Sequence, residues 1–220
     1  MSGICERLLQ EHLRDVPLIA ILRSGHGEHL DRVIETLAGS GVRALEVTGP
    51  TPGSAAAISE AARRHGRSIS VGCGTVTTAD QVTRAAEAGA GFVVAPNTDT
   101  SVIGAARRLG LAVLPGAFTP TEITAAATAG ATAVKVFPAR SLGPAYICDV
   151  LAPLPDLRLV PVGGVGLEDV PAYLDAGAVA VGVGRPLLGD ALEGGDLDEL
   201  AGRAAAYVAA ARAAAPCPVP

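Results

Sequence analysis

The chain has 220 residues, 49% of them apolar and only 3% aromatic, so it can bury the core of one domain and must build it from Ala, Val, Leu and Ile. A net charge of −5, with no run of Lys or Arg, argues against nucleic acid or an anionic membrane as partner. Cys5, Cys73, Cys148 and Cys217 are scattered without paired metal spacing, which fits free thiols in a reducing cytoplasm better than a disulfide scaffold.

Residues 1–15 read as an amphipathic helix carrying Glu6, Arg7, Glu11 and Arg14; they lack the apolar centre of a signal peptide, and no later run approaches a membrane span. Short apolar runs then alternate with Ala-rich helical patterns. The strand candidates are 17–22, 43–47, 68–72, 91–95, 111–114, 132–137, 158–162 and 179–183. Helix starts are marked by Thr78-Ala79-Asp80-Gln81, by Asp99-Thr100 and by Thr119-Pro120-Thr121-Glu122, the last a capping box with Pro at the first helical position.

Strands joined by helical crossovers imply a parallel sheet, and eight such units imply an α/β (β/α)8 TIM barrel with an extra N-terminal helix. An open doubly wound sheet is the alternative. A small residue followed by Gly and a strand recurs at Ser40-Gly41, Ala88-Gly89, Ala129-Gly130 and Ala176-Gly177, before the second, fourth, sixth and eighth strands. Each Gly suits the end of a helix, and the fourfold echo favours the barrel. With no break in composition, 1–215 reads as a single domain, and the Pro-rich end at 216–220 as a disordered tail.

Of the 17 basic residues sixteen are Arg, and only Lys135 is Lys. It sits in the apolar run Val134-Lys135-Val136-Phe137, where burial disfavours the ammonium and lowers its pKa. A neutral amine is a nucleophile; a guanidinium cannot lose its proton or form a Schiff base. A Lys at a strand end with its head in water, or half of a buried ion pair, is the plainer reading.

Barrel sites lie at the C-terminal strand ends. Period two puts Ala44, Glu46 and Thr48 on one face of the second strand, and Ala133, Lys135 and Phe137 on one face of the sixth. Even-numbered strands can therefore bring Glu46 and Lys135 together, as a salt bridge or as an acid/base beside a nucleophile. Val162-Gly163-Gly164-Val165-Gly166 ends the seventh strand and Gly182-Val183-Gly184-Arg185-Pro186 the eighth, each before a helical stretch. Such glycine loops can cradle phosphate on backbone N–H groups, although tight turns alone could require them. Gly72-Cys73-Gly74 fails as a dinucleotide fingerprint because Thr77 stands at the third position. His26 and His29 lack carboxylate or Cys partners for a metal, and His12 and His65 read as helix-surface residues.

Taken together and in order, Ile21-Leu22-Arg23, Leu45-Glu46-Val47-Thr48, Gly72-Cys73-Gly74-Thr75-Val76, Ala95-Pro96-Asn97, Leu114-Pro115-Gly116, Val134-Lys135-Val136-Phe137-Pro138, Gly163-Gly164-Val165 and Gly182-Val183-Gly184 resemble one family. It is that of the class I 2-keto-3-deoxy-6-phosphogluconate (KDPG) and 4-hydroxy-2-oxoglutarate (KHG) aldolases, including the 2-keto-3-deoxy-6-phosphogalactonate enzymes. The resemblance covers 16–188.

It implies a trimeric barrel that needs no cofactor and no metal and acts on a phosphorylated keto-deoxy sugar acid. Lys135 would form the Schiff base and Glu46 would be the general acid/base. Arg23 and Thr75 would hold the pyruvoyl carboxylate and hydroxyls, Pro96, Phe137 and Val162 would line the pocket, and Gly163, Gly164, Gly184 and Arg185 would take the phosphate. The products would be pyruvate and glyceraldehyde 3-phosphate.

Two departures stand out. Gly49-Pro50-Thr51-Pro52 occupies the loop where many phosphogluconate enzymes carry an Arg, and Val162 precedes the glycines where they often have Thr. The second, with Ala95-Pro96-Asn97 and Gly143-Pro144-Ala145-Tyr146-Ile147, resembles the phosphogalactonate branch more closely. A phosphosugar isomerase, epimerase or phosphate-binding synthase on the same barrel is the competing expectation, and a non-catalytic phosphosugar-binding module a third.

Overall fold

A computed structural model describes residues 3–214, so the expected tail at 216–220, with Cys217, lies outside the described residues. Helix α1 (Ile4–Asp15) comes first, followed by β1 (Leu18–Leu22), α2 (Leu30–Gly39), β2 (Ala44–Thr48), α3 (Ser54–His65) and β3 (Ser70–Gly74). The alternation continues through α4 (Ala79–Glu87), β4 (Phe92–Val94), α5 (Thr100–Arg108), β5 (Ala112–Leu114), β6 (Gly116–Ala117) and α6 (Pro120–Thr128). Then follow β7 (Val134–Val136), α7 (Gly143–Leu151), β8 (Leu159–Pro161), α8 (Asp169–Asp175), β9 (Val181–Val183), α9 (Arg185–Leu188) and α10 (Leu197–Ala213).

Every strand pair is parallel. Six strands run in the order β5-β4-β3-β2-β1-β9 and three in the order β6-β7-β8, giving an α/β fold with a curled parallel sheet. The two sheets touch at both seams. Val162 bridges Gly182, and the Val179 N–H donates to Leu159 O at 2.9 Å. At the other seam the Thr132 N–H donates to Val113 O at 2.9 Å. The expected fifth strand thus runs on past Pro115, which has no N–H to offer a ladder, into a second short strand.

Period-two alternation sorts the apolar residues into two buried groups. Outward residues such as Leu45, Val47, Val71, Val93 and Val113 meet the helices through Val33, Ile34, Leu37, Val82 and Ile103. Inward residues Ile19, Ala44, Phe92, Leu114, Ala133, Val160 and Ala180 fill the space enclosed by the strands. Leu9 and Leu13, four apart on one face of α1, join this inner group, so the first helix packs its apolar stripe on the interior.

The punctuation follows local chemistry. Thr78 with Gln81, and Thr119 with Glu122 behind Pro120, make capping boxes, and Asp99 accepts from the N–H groups of Ser101 and Val102. Gly41, Gly89, Gly130 and Gly177 all have φ between 84° and 97°, as the recurring motif requires. Each lets the next residue's N–H reach back into the helix, as from Val42 to Leu37 O at 3.0 Å. Gly110, at φ 75°, does the same before β5, although Leu rather than a small residue precedes it.

Two expectations need correction. The third strand is not 68–72 but lies two residues later, because Ser68 belongs to a turn closed by its N–H on His65 O. His12 is not simply a surface residue either. Its Nε2 lies 3.1 Å from Arg67 O and its Nδ1 2.9 Å from Ser70 Oγ, which ties α1 to the start of β3.

Candidate active site

The C-terminal strand ends open into a cavity of about 600 Å3. All eleven residues singled out in the sequence line it, from Arg23, Glu46 and Thr75 through Pro96, Lys135 and Phe137 to Val162, Gly163, Gly164, Gly184 and Arg185.

Lys135 is central in β7, in register with Gly116 on one side and Val160 on the other. Its N–H donates to Pro115 O at 2.9 Å, which fixes the strand and points the side chain inward above Ala133. The residue is 8% exposed, and its Nζ lies 4.7 Å from the centre of the Phe137 ring. Burial pushes the amine below its ordinary value; the Glu46 carboxylate opposes that shift and the Arg23 guanidinium adds to it. The reading of a lysine with its head in bulk water does not hold.

Glu46 is central in β2 and 2% exposed. Burial raises its pKa above the ordinary carboxylate value, while Lys135 and Arg23 pull it back. The two groups share the cavity and feel each other's charge, but no ion pair joins them among the described residues. Gly72-Cys73-Gly74, rejected as a nucleotide motif, has a different use. A Cβ at Gly74 would coincide with the Glu46 carboxylate, and one at Gly72 would lie 2.5 Å from the Phe92 ring. β3 lacks inward side chains at these two positions so that its neighbours can fill the space.

Arg23, just beyond β1, donates from Nη2 to Thr75 Oγ1 at 2.7 Å, spanning the mouth above Glu46. Thr75 has φ 60°, a left-handed conformation that a β-branched residue rarely adopts and that tends to be kept at functional sites.

At the opposite wall, Gly163 and Gly164 have φ 95° and 83°, and side chains there would meet Phe137 and Arg140. The N–H groups of Gly163, Gly164, Val165, Gly184 and Arg185 donate to no partner within the described residues. They form a concave set of open donors suited to an anion. One detail differs from expectation. Gly164 does not precede a helix directly, since α8 begins at Asp169; Gly184 does, as the residue before the single-turn α9.

The sequence reading missed Ile21, Arg140 and Glu193, which also line the cavity. Ile21 was legible from its alternation with Ile19. Arg140 sits three residues past Phe137 in a 3-10 turn, and Glu193 in another after α9; neither carried a periodic signal. No group of three His, Cys, Asp or Glu among the described residues could hold a metal, His26 and His29 included.

Fold and site together define the class: a parallel α/β protein with a buried lysine and a buried carboxylate in one cavity at its C-terminal strand ends. The model of the family described as KDPG and KHG aldolase matches residues 9–202. The chain is 38% identical over 84% of its length to a probable 2-dehydro-3-deoxy-6-phosphogalactonate aldolase of Rhizobium meliloti (strain 1021), covering 88% of that protein. It is 35% identical to the 2-dehydro-3-deoxy-6-phosphogalactonate aldolase of Escherichia coli (strain K12), over 90% of this chain and 96% of that one. A solved structure described as native KDPGal superposes with a TM-score of 0.83 at 34% identity, covering 90% of this chain and 96% of its own. The chain belongs to the KDPG and KHG aldolase family.

Proposed function

We propose that the chain is a class I aldolase that cleaves 2-dehydro-3-deoxy-6-phosphogluconate, its C4 epimer 2-dehydro-3-deoxy-6-phosphogalactonate, or both, to pyruvate and D-glyceraldehyde 3-phosphate. A further substrate within its reach is 4-hydroxy-2-oxoglutarate. The observation that carries this reading is Lys135: a buried amine shifted toward its neutral form, unpaired, in a cavity with a buried carboxylate.

In this mechanism the neutral Nζ attacks the C2 carbonyl and water leaves, so that an iminium forms on Lys135. Glu46 takes the C4-hydroxyl proton; the C3–C4 bond breaks, its electron pair passes into the enamine, and the aldehyde departs. Protonation at C3 and hydrolysis release pyruvate and restore the amine. Arg23 and Thr75 orient the carboxylate and hydroxyls, with Pro96, Phe137 and Val162 as walls. The open donors around Gly163, Gly164 and Gly184, with Arg185, receive the phosphate. The iminium is the electron sink, so the chemistry needs no metal and no cofactor. The isomerase and epimerase alternatives proceed by proton transfer without an imine, so they leave the nucleophilic, neutral form of this amine unexplained.

The reading extends to the assembly. We read residues 3–214 as one (β/α)8 barrel with an added N-terminal helix, a view supported by the bonds across both seams and by β5 and β6 being one interrupted strand. A homotrimer in the cytoplasm follows from the family resemblance; light scattering on the purified protein tests the trimer. No helix among the described residues is long and apolar enough to cross a membrane.

Borohydride with pyruvate tests the chemistry. A covalent adduct on Lys135 is expected in the native chain and none in Lys135→Arg; a native chain that gains no adduct sinks the mechanism.

A further inference from the structure

We infer that Arg140 is the specificity-determining residue that makes this site select a phosphorylated substrate over the same keto-deoxy sugar acid without its phosphate. The inference rests on the aldolase reading above and assigns a residue that no motif marked.

Arg140 is held in place by backbone, not by its own side chain. Its N–H donates to Gly163 O at 2.9 Å, and the N–H of Ala139 donates to Val162 O at 2.8 Å. Tyr173, from α8, donates its hydroxyl to Ala139 O at 3.2 Å. The turn after β7 is thus stitched to the loop after β8, and the stem of Arg140 lies along Gly164. A Cβ on Gly164 would sit 2.6 Å from Arg140 Cβ and 2.9 Å from its Cδ. Position 164 therefore needs glycine twice over: for φ 83° and for the passage of this side chain.

The guanidinium so placed makes no hydrogen bond and no ion pair among the described residues, and the same holds for Arg185. The two line the same cavity as the open N–H donors and come from different loops, Arg140 after β7 and Arg185 after β9. A planar fork matches two oxygens of a phosphate at once, which an ammonium cannot do. Glu193 lines the same end and repels a dianion. Two guanidiniums against one carboxylate leave the end positive; without Arg140 the charges there cancel. Gly164, Arg140 and Arg185 are exposed whereas Lys135 and Glu46 are buried, so this end meets the part of a substrate farthest from the amine.

The test is the ratio of kcat/KM for 2-dehydro-3-deoxy-6-phosphogalactonate to kcat/KM for its dephosphorylated form, in the native chain and in Arg140→Gln, with borohydride trapping of pyruvate on both proteins. Losing one charge-assisted contact should lower the ratio by about tenfold or more. Arg140→Lys should recover part of it, since the charge stays while the fork is lost. A ratio within about twofold of the native one overturns the inference. So does loss of pyruvate trapping in Arg140→Gln alone, which would tie Arg140 to the amine chemistry. Failure of the native chain to trap pyruvate is a separate result: it overturns the aldolase reading and this inference with it.

Discussion

The carboxylate of Glu46 lies where a side chain on Gly74 would have to be. The two residues are diagonal neighbours on adjacent strands, Glu46 in register with Gly72 and Thr48 with Gly74, so the acid leans along β3 into the space a methyl at position 74 would take. Gly74 lies outside the positive-φ residues, so Ala is compatible with its backbone and the substitution acts through space alone. Gly74→Ala is expected to displace Glu46 and cost about 1–3 kcal/mol of stability, as overpacking does. Turnover should fall much further than that loss implies, about a hundredfold, while Lys135 still traps pyruvate. Denaturant unfolding and steady-state kinetics on one preparation read both numbers. Unchanged turnover would show that Glu46 has no part in the chemistry.

The charges around Lys135 make a second prediction with opposite signs at two positions. Burial lowers its pKa from 10.5, the Glu46 carboxylate raises it and the Arg23 guanidinium lowers it. Glu46→Gln should therefore move the midpoint for Lys135 further down, and Arg23→Gln should move it up. Because Lys135 is the only Lys, acylation by acetic anhydride across a pH series, read on its peptide by mass spectrometry, reports this amine without interference from another. In the native chain the midpoint should lie below 10.5. Shifts of the same sign in both variants would mean that packing, not charge, sets the pKa.

Much of this arrangement was legible because the sequence encodes direction as well as type. Alternation placed Glu46 and Lys135 on inward faces, and the glycines after 162 and 182 marked the anion end. What stayed hidden needed distances between strands. Nothing in Gly72-Cys73-Gly74 says that Phe92 and Glu46 occupy the space of the missing side chains. Arg140 lies in a turn, where no period tells which way a side chain points, and only its bond to Gly163 O places it at the site. Likewise Ser68 opens the alternation Ser68-Ile69-Ser70-Val71 and looked like strand, but its N–H closes a turn on His65.

Val162 carries the prediction about the substrate's stereochemistry. It is 6% exposed, lines the cavity and is bridged to Gly182, where a Cβ would lie 2.7 Å from Val162 Cγ2. Thr has nearly the same shape, so Val162→Thr places a hydroxyl beside the substrate without moving the loop. A hydrogen bond open to one C4 epimer and closed to the other is worth about 1–3 kcal/mol of discrimination. The ratio of kcat/KM for the phosphogluconate over the phosphogalactonate substrate should therefore rise by about tenfold or more. Measuring both epimers with both proteins settles it; an unmoved ratio would assign epimer choice to another wall.

His12 predicts how stability depends on pH. Its pKa is lowered from the ordinary 6.5, first by burial and then by Arg43, with the bond to Arg67 O and the carboxylates of Glu11 and Asp15 opposing. With Nε2–H donating to Arg67 O, the neutral ring accepts the Ser70 hydroxyl at Nδ1, and both bonds hold α1 against β3. A base whose folded pKa is depressed binds fewer protons folded than unfolded near that value, so stability rises with pH through the window. The contribution is complete above about 6.5 and fades as pH falls through the lower folded value. Unfolding midpoints in urea should therefore drop as pH falls below about 6.5 in the native chain. The drop should be smaller in His12→Gln, which carries no titrating ring. Equal pH slopes in the two proteins would show that α1 docks through Leu9 and Leu13 alone.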